Sequence, residues 1–122
     1  MNGEIFVSAK INPTEDKEKV KKAINNIFPL KLEINDEIKG KGDLSCLLKL
    51  KEMLAERKIR DSVRQLLLNN KIGNKTYFYV NKQAAFVNIV NISDEELSPL
   101  GDIKVEIRSD DIDKIIDWLT EH

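Results

Sequence analysis

The rhythm of polar and apolar positions changes several times along the chain, and each change predicts an element. Over Glu4–Ile11 the alternation is strict. Ile5, Val7, Ala9 and Ile11 share one face while Phe6, Ser8 and Lys10 share the other, as in a half-buried strand. Asn12-Pro13-Thr14-Glu15 predicts a helix start, with Asn12 as cap, Pro13 in the first helical position and Glu15 as the capping-box carboxylate. Val20, Ala23, Ile24, Ile27 and Phe28 then recur at helical spacing, and Pro29 ends that helix because it biases Phe28 away from helical dihedrals. Leu30–Ile34 alternates again, and Glu37–Lys41 reads as a short, weak third strand. Asp43 or Ser45 caps a leucine-rich helix running to about Arg57; a third helix follows over Lys58–Asn70 after a break near Lys58.

The stretch Thr76–Asn91, TYFYVNKQAAFVNIVN, reads as a hairpin: strands at Tyr77–Val80 and Ala84–Asn91, turning at Asn81-Lys82-Gln83. Its strands are apolar on both faces, so it is expected in the middle of the sheet, covered by helices on one side and by a partner subunit on the other. Ile103, Val105 and Ile107 form a last strand, and Ser109 or Asp110 caps a last helix striped by Ile112, Ile115, Ile116 and Leu119. The expected fold is α+β, one domain over residues 1–122, in the order β-α-β-β-α-α-β-β-β-α, with a largely antiparallel sheet and helices packed on one face.

Composition narrows the function classes. No apolar run approaches the roughly 20 residues of a membrane span, and the N-terminus shows no secretory pattern. A single cysteine, Cys46, makes no intrachain disulfide, so a reducing cytoplasm is the expected setting. Abundant lysine, glutamate and isoleucine lean toward an organism that grows hot.

The net charge of −1 hides a strong asymmetry. Residues 39–82 carry eleven Lys/Arg against four Asp/Glu, whereas residues 83–122 carry three against ten. Either the basic middle meets an anion such as nucleic acid, or it is neutralised by the acidic end within or between subunits.

Candidate chemistry follows that asymmetry. On a wheel of about 100° per residue, Arg57, Arg60, Arg64 and Lys71 lie within roughly 60° of one another. Such a ridge can track a phosphate backbone through guanidinium forks, with Lys75 and Lys82 as outliers and the polar tip Asn81, Gln83 as a secondary candidate. The alternative is a solvated helix face paired with nearby acids. Gly40-Lys41-Gly42-Asp43 lacks the spacer and Lys-Ser/Thr pair of a phosphate loop and reads as a flexible turn. Asp110, Asp111, Asp113 and Asp117 complement a helix N-terminus; Asp113 and Asp117 share a face but have no further ligand at metal-site spacing. The only histidine, His122, is terminal, and Cys46 and Ser45 have no base to activate them. No catalytic residue, metal or cofactor is therefore expected, and an enzyme using paired carboxylates is the least favoured reading.

Asn12–Pro29, Arg57–Leu68, Tyr77–Asn91, Leu100–Ile107 and Ile116-Asp117-Trp118-Leu119 together resemble a family of small archaeal proteins of unknown function, nearly end to end. The Pro-Thr-Glu-Asp helix start and Asn-Lys-Gln-Ala-Ala-Phe are the most specific parts. The resemblance implies a fold similar to the large-subunit ribosomal protein that binds five-S ribosomal RNA, a homodimer, and RNA binding by analogy of fold. The preferred expectation is a non-enzymatic RNA-binding protein; the alternative is an interaction module whose basic middle segment pairs with its acidic end.

Overall fold

The alternation in Glu4–Lys10 places strand β1 at the heart of the sheet, with Ile5, Val7 and Ala9 buried and Phe6 and Ser8 half-buried on the opposite face. The computed structural model describes residues 2–122. The remaining strands are β2 (Leu32–Ile34), β3 (Glu37–Asp43), β4 (Lys75–Val80), β5 (Ile92–Ser93) and β6 (Ile103–Arg108). They form one six-stranded sheet in the order β2-β3-β1-β6-β4-β5, and every pairing is antiparallel. Helices α1 (Lys17–Ile27), α2 (Leu48–Glu56), α3 (Arg60–Asn69), α4 (Lys82–Phe86) and α5 (Ile112–Thr120) complete the fold. The expected α+β class and order of strands and long helices hold, with the short α4 inserted before β5.

The helices close over the sheet face that carries Ile5, Val7, Ile38, Phe78, Val80, Ile103, Val105 and Ile107. Ile24, Ile27, Leu50, Leu54, Leu67, Ile115, Ile116 and Leu119 answer them from the helical layer, all fully buried. Each such side chain contributes about 1.5–3 kcal/mol relative to exposure. Thr76 lies on the same inner face, and its hydroxyl donates to the Leu67 carbonyl at 2.6 Å, so its burial leaves no polar group unpaired.

Several boundaries differ from the expected ones for local reasons. The cap of α1 is Asp16, whose side chain accepts from the Glu18 amide at 2.9 Å. Glu15 does reach back to the Asn12 amide at 3.0 Å, but that bond closes a turn before the helix rather than the helix itself. Phe28 caps the C-terminus in extended conformation, as Pro29 requires. Asp43 caps a 3-10 turn, Leu44–Leu47, that leads into α2. The break between α2 and α3 falls at Lys58, which takes a φ of +57°.

Gly40-Lys41-Gly42 is strand, not a flexible turn. Leu30 and Leu32 lie so close over Gly40 that a Cβ there would sit 2.2 Å from Leu30 Cδ1. The third strand is thus longer than its polar sequence suggests, because β1 and β2 hold it on both sides.

The expected hairpin is the main correction. Tyr77–Val80 is strand, but Ala84–Phe86 is helical and the returning strand is only Ile92–Ser93. The Asn81 side chain accepts from the Ala84 amide at 2.9 Å and starts a helix instead of a turn. Asn26 of α1 donates to the Ala85 and Phe86 carbonyls at 2.9 and 3.1 Å, docking this helix on α1. Asn88 then reverses the chain at φ +62°. The middle of the sheet is accordingly β1 and β6, with β4 next to the edge.

Candidate nucleic-acid interface

Period-two alternation sends every second residue of β1, β3, β4 and β6 to the face without helices, and the register arranges them in rungs. One rung reads Lys41, Phe6, Glu106, Tyr77; its neighbour reads Lys39, Ser8, Lys104, Tyr79; the next reads Asp43, Glu4, Arg108, Lys75. Strands lie about 4.8 Å apart, so Phe6 and Tyr77 stand roughly 10 Å apart with Glu106 between them.

The three aromatic rings are half-buried, whereas Lys39, Lys41, Lys104 and Arg108 are exposed. Arg108 and Lys41 lie 4.8 and 5.6 Å from the Phe6 centroid, and Lys104 lies 5.4 Å from that of Tyr77. Tyr79 meets Tyr77 edge to face at 6.2 Å. Such cation–ring contacts at exposed sites are worth about 0.5–1 kcal/mol, weak enough to exchange for a ligand.

The face also carries acids. Lys41 pairs with Glu4 at 3.1 Å, Lys39 with Glu37 at 3.4 Å and Arg108 with Glu106 at 2.7 Å. Lys75, one of the residues expected to contact nucleic acid, belongs to this face and lies 4.0 Å from Glu106. Lys104 has no carboxylate partner among the described residues.

The basic ridge is built differently from its expectation. Helix α5 packs alongside α3 and brings its acids to it: Arg64 pairs with Asp117, and Lys71 with Asp113 at 2.8 Å. Arg60 donates to the Glu121 carbonyl at 3.2 Å and Arg57 to the Asn91 side chain at 3.3 Å. His122 Nε2 meets Asp61 at 2.8 Å, and this contact with its charge holds the Asp61 carboxyl below its ordinary value. Asp113 and Asp117, which share a helix face, therefore serve as partners for two cations of the ridge.

Lys82 and its neighbours form a clamp. The Lys82 side chain is 8% exposed; its ammonium lies 3.0 Å from Glu15 and donates to the Lys10 and Leu100 carbonyls at 2.7 and 3.0 Å. Asn81 is the α4 cap, and Gln83 is exposed at the rim of a shallow groove of about 410 Å³ beside Lys19 and Phe86. The structure thus turns Arg60, Arg64 and Lys71 toward α5 and its C-terminal segment, parts Arg57 from them across the break at Lys58, puts Lys75 on the open sheet face, and sets Lys82 apart in the interior.

Phe6, Tyr77, Tyr79, Lys104, Arg108 and Glu106 were not singled out by spacing along the chain. Alternation does place Phe6 opposite the core face, but the convergence of β1, β6 and β4 is a long-range pairing with no local signal.

A family model described as RNA binding matches residues 4–109. A UPF0201 protein of Methanothermobacter thermautotrophicus is 48% identical over 117 residues, covering 94% of this chain and 89% of the relative. A UPF0201 protein of Sulfurisphaera tokodaii is 38% identical, covering 95% of this chain and 86% of the relative. The crystal structure of a UPF0201 protein from Methanococcus jannaschii superposes with a TM-score of 0.83 at 41% identity, covering 98% of this chain and 93% of that one.

Proposed function

The chain belongs to the archaeal UPF0201 family, and on that premise we propose that it is an RNA-binding protein that takes unpaired nucleotides on the open face of its sheet. The observation that carries this reading is the cluster of half-buried rings Phe6, Tyr77 and Tyr79 flanked by Lys39, Lys41, Lys75, Lys104 and Arg108. A base stacks on an aromatic ring whatever its identity, and lysines beside the ring meet the phosphates. Lys104, which rests on Tyr77 in the free protein, would swing to phosphate as a base takes the ring, while Arg108 stays on Glu106 beside Phe6. Duplex RNA offers no exposed base faces, so it would gain only the phosphate contacts.

Filter binding at low salt tests the reading. Unpaired RNA should be retained more strongly than duplex of equal length, and retention should fall steeply with salt. Failure of unpaired RNA to be retained would overturn it. Arg60, Arg64 and Lys71, with Arg57 apart from them, are secondary phosphate contacts in this proposal, since these cations already have partners.

A second reading, an interaction module, is favoured by the Arg64–Asp117 and Lys71–Asp113 pairs, which neutralise the basic middle with the acidic end. It carries with it the homodimer implied by the family resemblance, for which exposed Val87 and Ile89 beside the short β5 edge are the surface. Sedimentation of the free protein separates monomer from dimer. The likeness to the ribosomal protein that binds five-S RNA belongs to the same proposal, as an analogy of fold. A cytoplasmic setting fits the lone, buried Cys46.

A further inference from the structure

Among the described residues, Glu106 is the one acid set between two rings on the open face. It neighbours Phe6 across one strand boundary and Tyr77 across the other. Its side chain is only 19% exposed, a costly place for a carboxylate unless its charge is used. Arg108 Nε holds one oxygen, Oε2, at 2.7 Å. The other oxygen, Oε1, has Lys75 at 4.0 Å and no hydrogen-bond donor among the described residues. It is not one of the buried, unpartnered atoms, so it is open to solvent or a ligand. A surface meant only for phosphate gains nothing from an acid at its centre, because the carboxylate repels the backbone it should attract.

We propose that Glu106 selects guanine among unpaired bases on this face, an inference that rests on the RNA reading above. A base stacked on Tyr77 presents its edge toward the neighbouring strand, where Glu106 stands. A carboxylate is acceptor-only, and its two oxygens match two donors side by side. Guanine alone offers that pair on its Watson–Crick edge, N1–H beside the 2-amino group. Adenine and cytosine each set one amino donor beside a ring-nitrogen acceptor, and uracil flanks its single N–H with two carbonyls. Those acceptors would face the carboxylate unpaired. Oε1 is free for one guanine donor, and Oε2 has a second lone pair for the other while Arg108 keeps its bond. Arg108 and Lys75 orient the carboxylate.

Fluorescence anisotropy with labelled uridine oligomers, each carrying or lacking one central guanine, tests this. The guanine should raise affinity roughly tenfold, the scale of one good bidentate base contact. Inosine in its place lacks the 2-amino group and should lose most of that gain. Glu106→Gln should abolish the guanine advantage and at the same time raise affinity for the all-uridine oligomer, because a repelling charge is gone. Glu106→Asp keeps the charge but shortens the reach, so it should lose the advantage without that general gain. Equal binding with and without guanine, or an advantage that survives Glu106→Gln, overturns the guanine assignment alone. No binding of any oligomer overturns the RNA reading together with it. Circular dichroism of each folded variant keeps the comparison among intact proteins.

Discussion

Lys82 and Glu15 stand 67 residues apart in the chain, yet the ammonium and carboxylate meet at 3.0 Å with side chains only 8% and 12% exposed. Around them Asn12 donates to Glu15 from both its backbone and its side chain, and the Lys10 and Leu100 carbonyls accept from Lys82. The clamp ties the segment entering α1, the start of α4 and the loop before β6 into one node. Its stabilising value lies in how completely both charges are satisfied.

Removing the cation leaves the carboxylate and two carbonyls without it. Lys82→Met should therefore cost about 3–5 kcal/mol, the range for breaking a buried pair. Urea denaturation of the variant against the wild type reads this directly.

The same node predicts a pH dependence. Burial pushes the Glu15 carboxyl up, but the Asn12 amide and side chain, with Lys82, more than offset it and hold the group below its ordinary value of 4.5. A depressed folded value means that the contribution is fully present above 4.5 and is lost as pH falls through the folded value. The stability gap between wild type and Glu15→Gln should therefore narrow below that pH in a series of denaturation curves.

Gly40 tests the packing of the β2 side of the sheet. A methyl group there meets Leu30 Cδ1 at 2.2 Å and the Lys31 carbonyl at 2.9 Å. The leucine tips can move but the carbonyl cannot without shifting the strand. Gly40→Ala should lower stability by about 1–3 kcal/mol, the usual cost of overpacking, visible as a lowered Tm.

The acids of α5 restrain the ridge on α3. Asp113→Asn combined with Asp117→Asn frees Lys71 and Arg64, whose pairs are exposed and worth no more than about 1 kcal/mol to stability. The double variant should stay folded while its binding to RNA of any sequence tightens at low salt and converges on wild type at high salt.

Much of this architecture is legible in the residue pattern. Ile5, Val7 and Ala9 alternate as β1 demands, and the α1 and α5 stripes announce their buried faces. Tertiary context overrode local propensity in two places. Phe86-Val87-Asn88-Ile89 looks like strand, but Asn81 caps a helix just before it and Asn26 takes the backbone carbonyls that a strand would offer to a neighbour. Lys82 looks like a surface cation beside a basic helix, and only the fold reveals Glu15 beneath it. The site divides in the same way. The spacing of Arg60, Arg64 and Lys71 is written locally, whereas the acids that pair with Arg64 and Lys71, Asp117 and Asp113, arrive from a helix that only the fold brings alongside. The open face depends entirely on which strands become neighbours.

The most direct test of the central claim is a map of backbone amide shifts on adding a short unpaired RNA to labelled protein at low salt. Shifts should concentrate on β1, β6 and β4 around Phe6, Lys104, Glu106, Tyr77 and Tyr79, and be lost when Tyr77 and Tyr79 are both replaced by alanine. Shifts confined to α3 and α5, or no shifts at all, would contradict it.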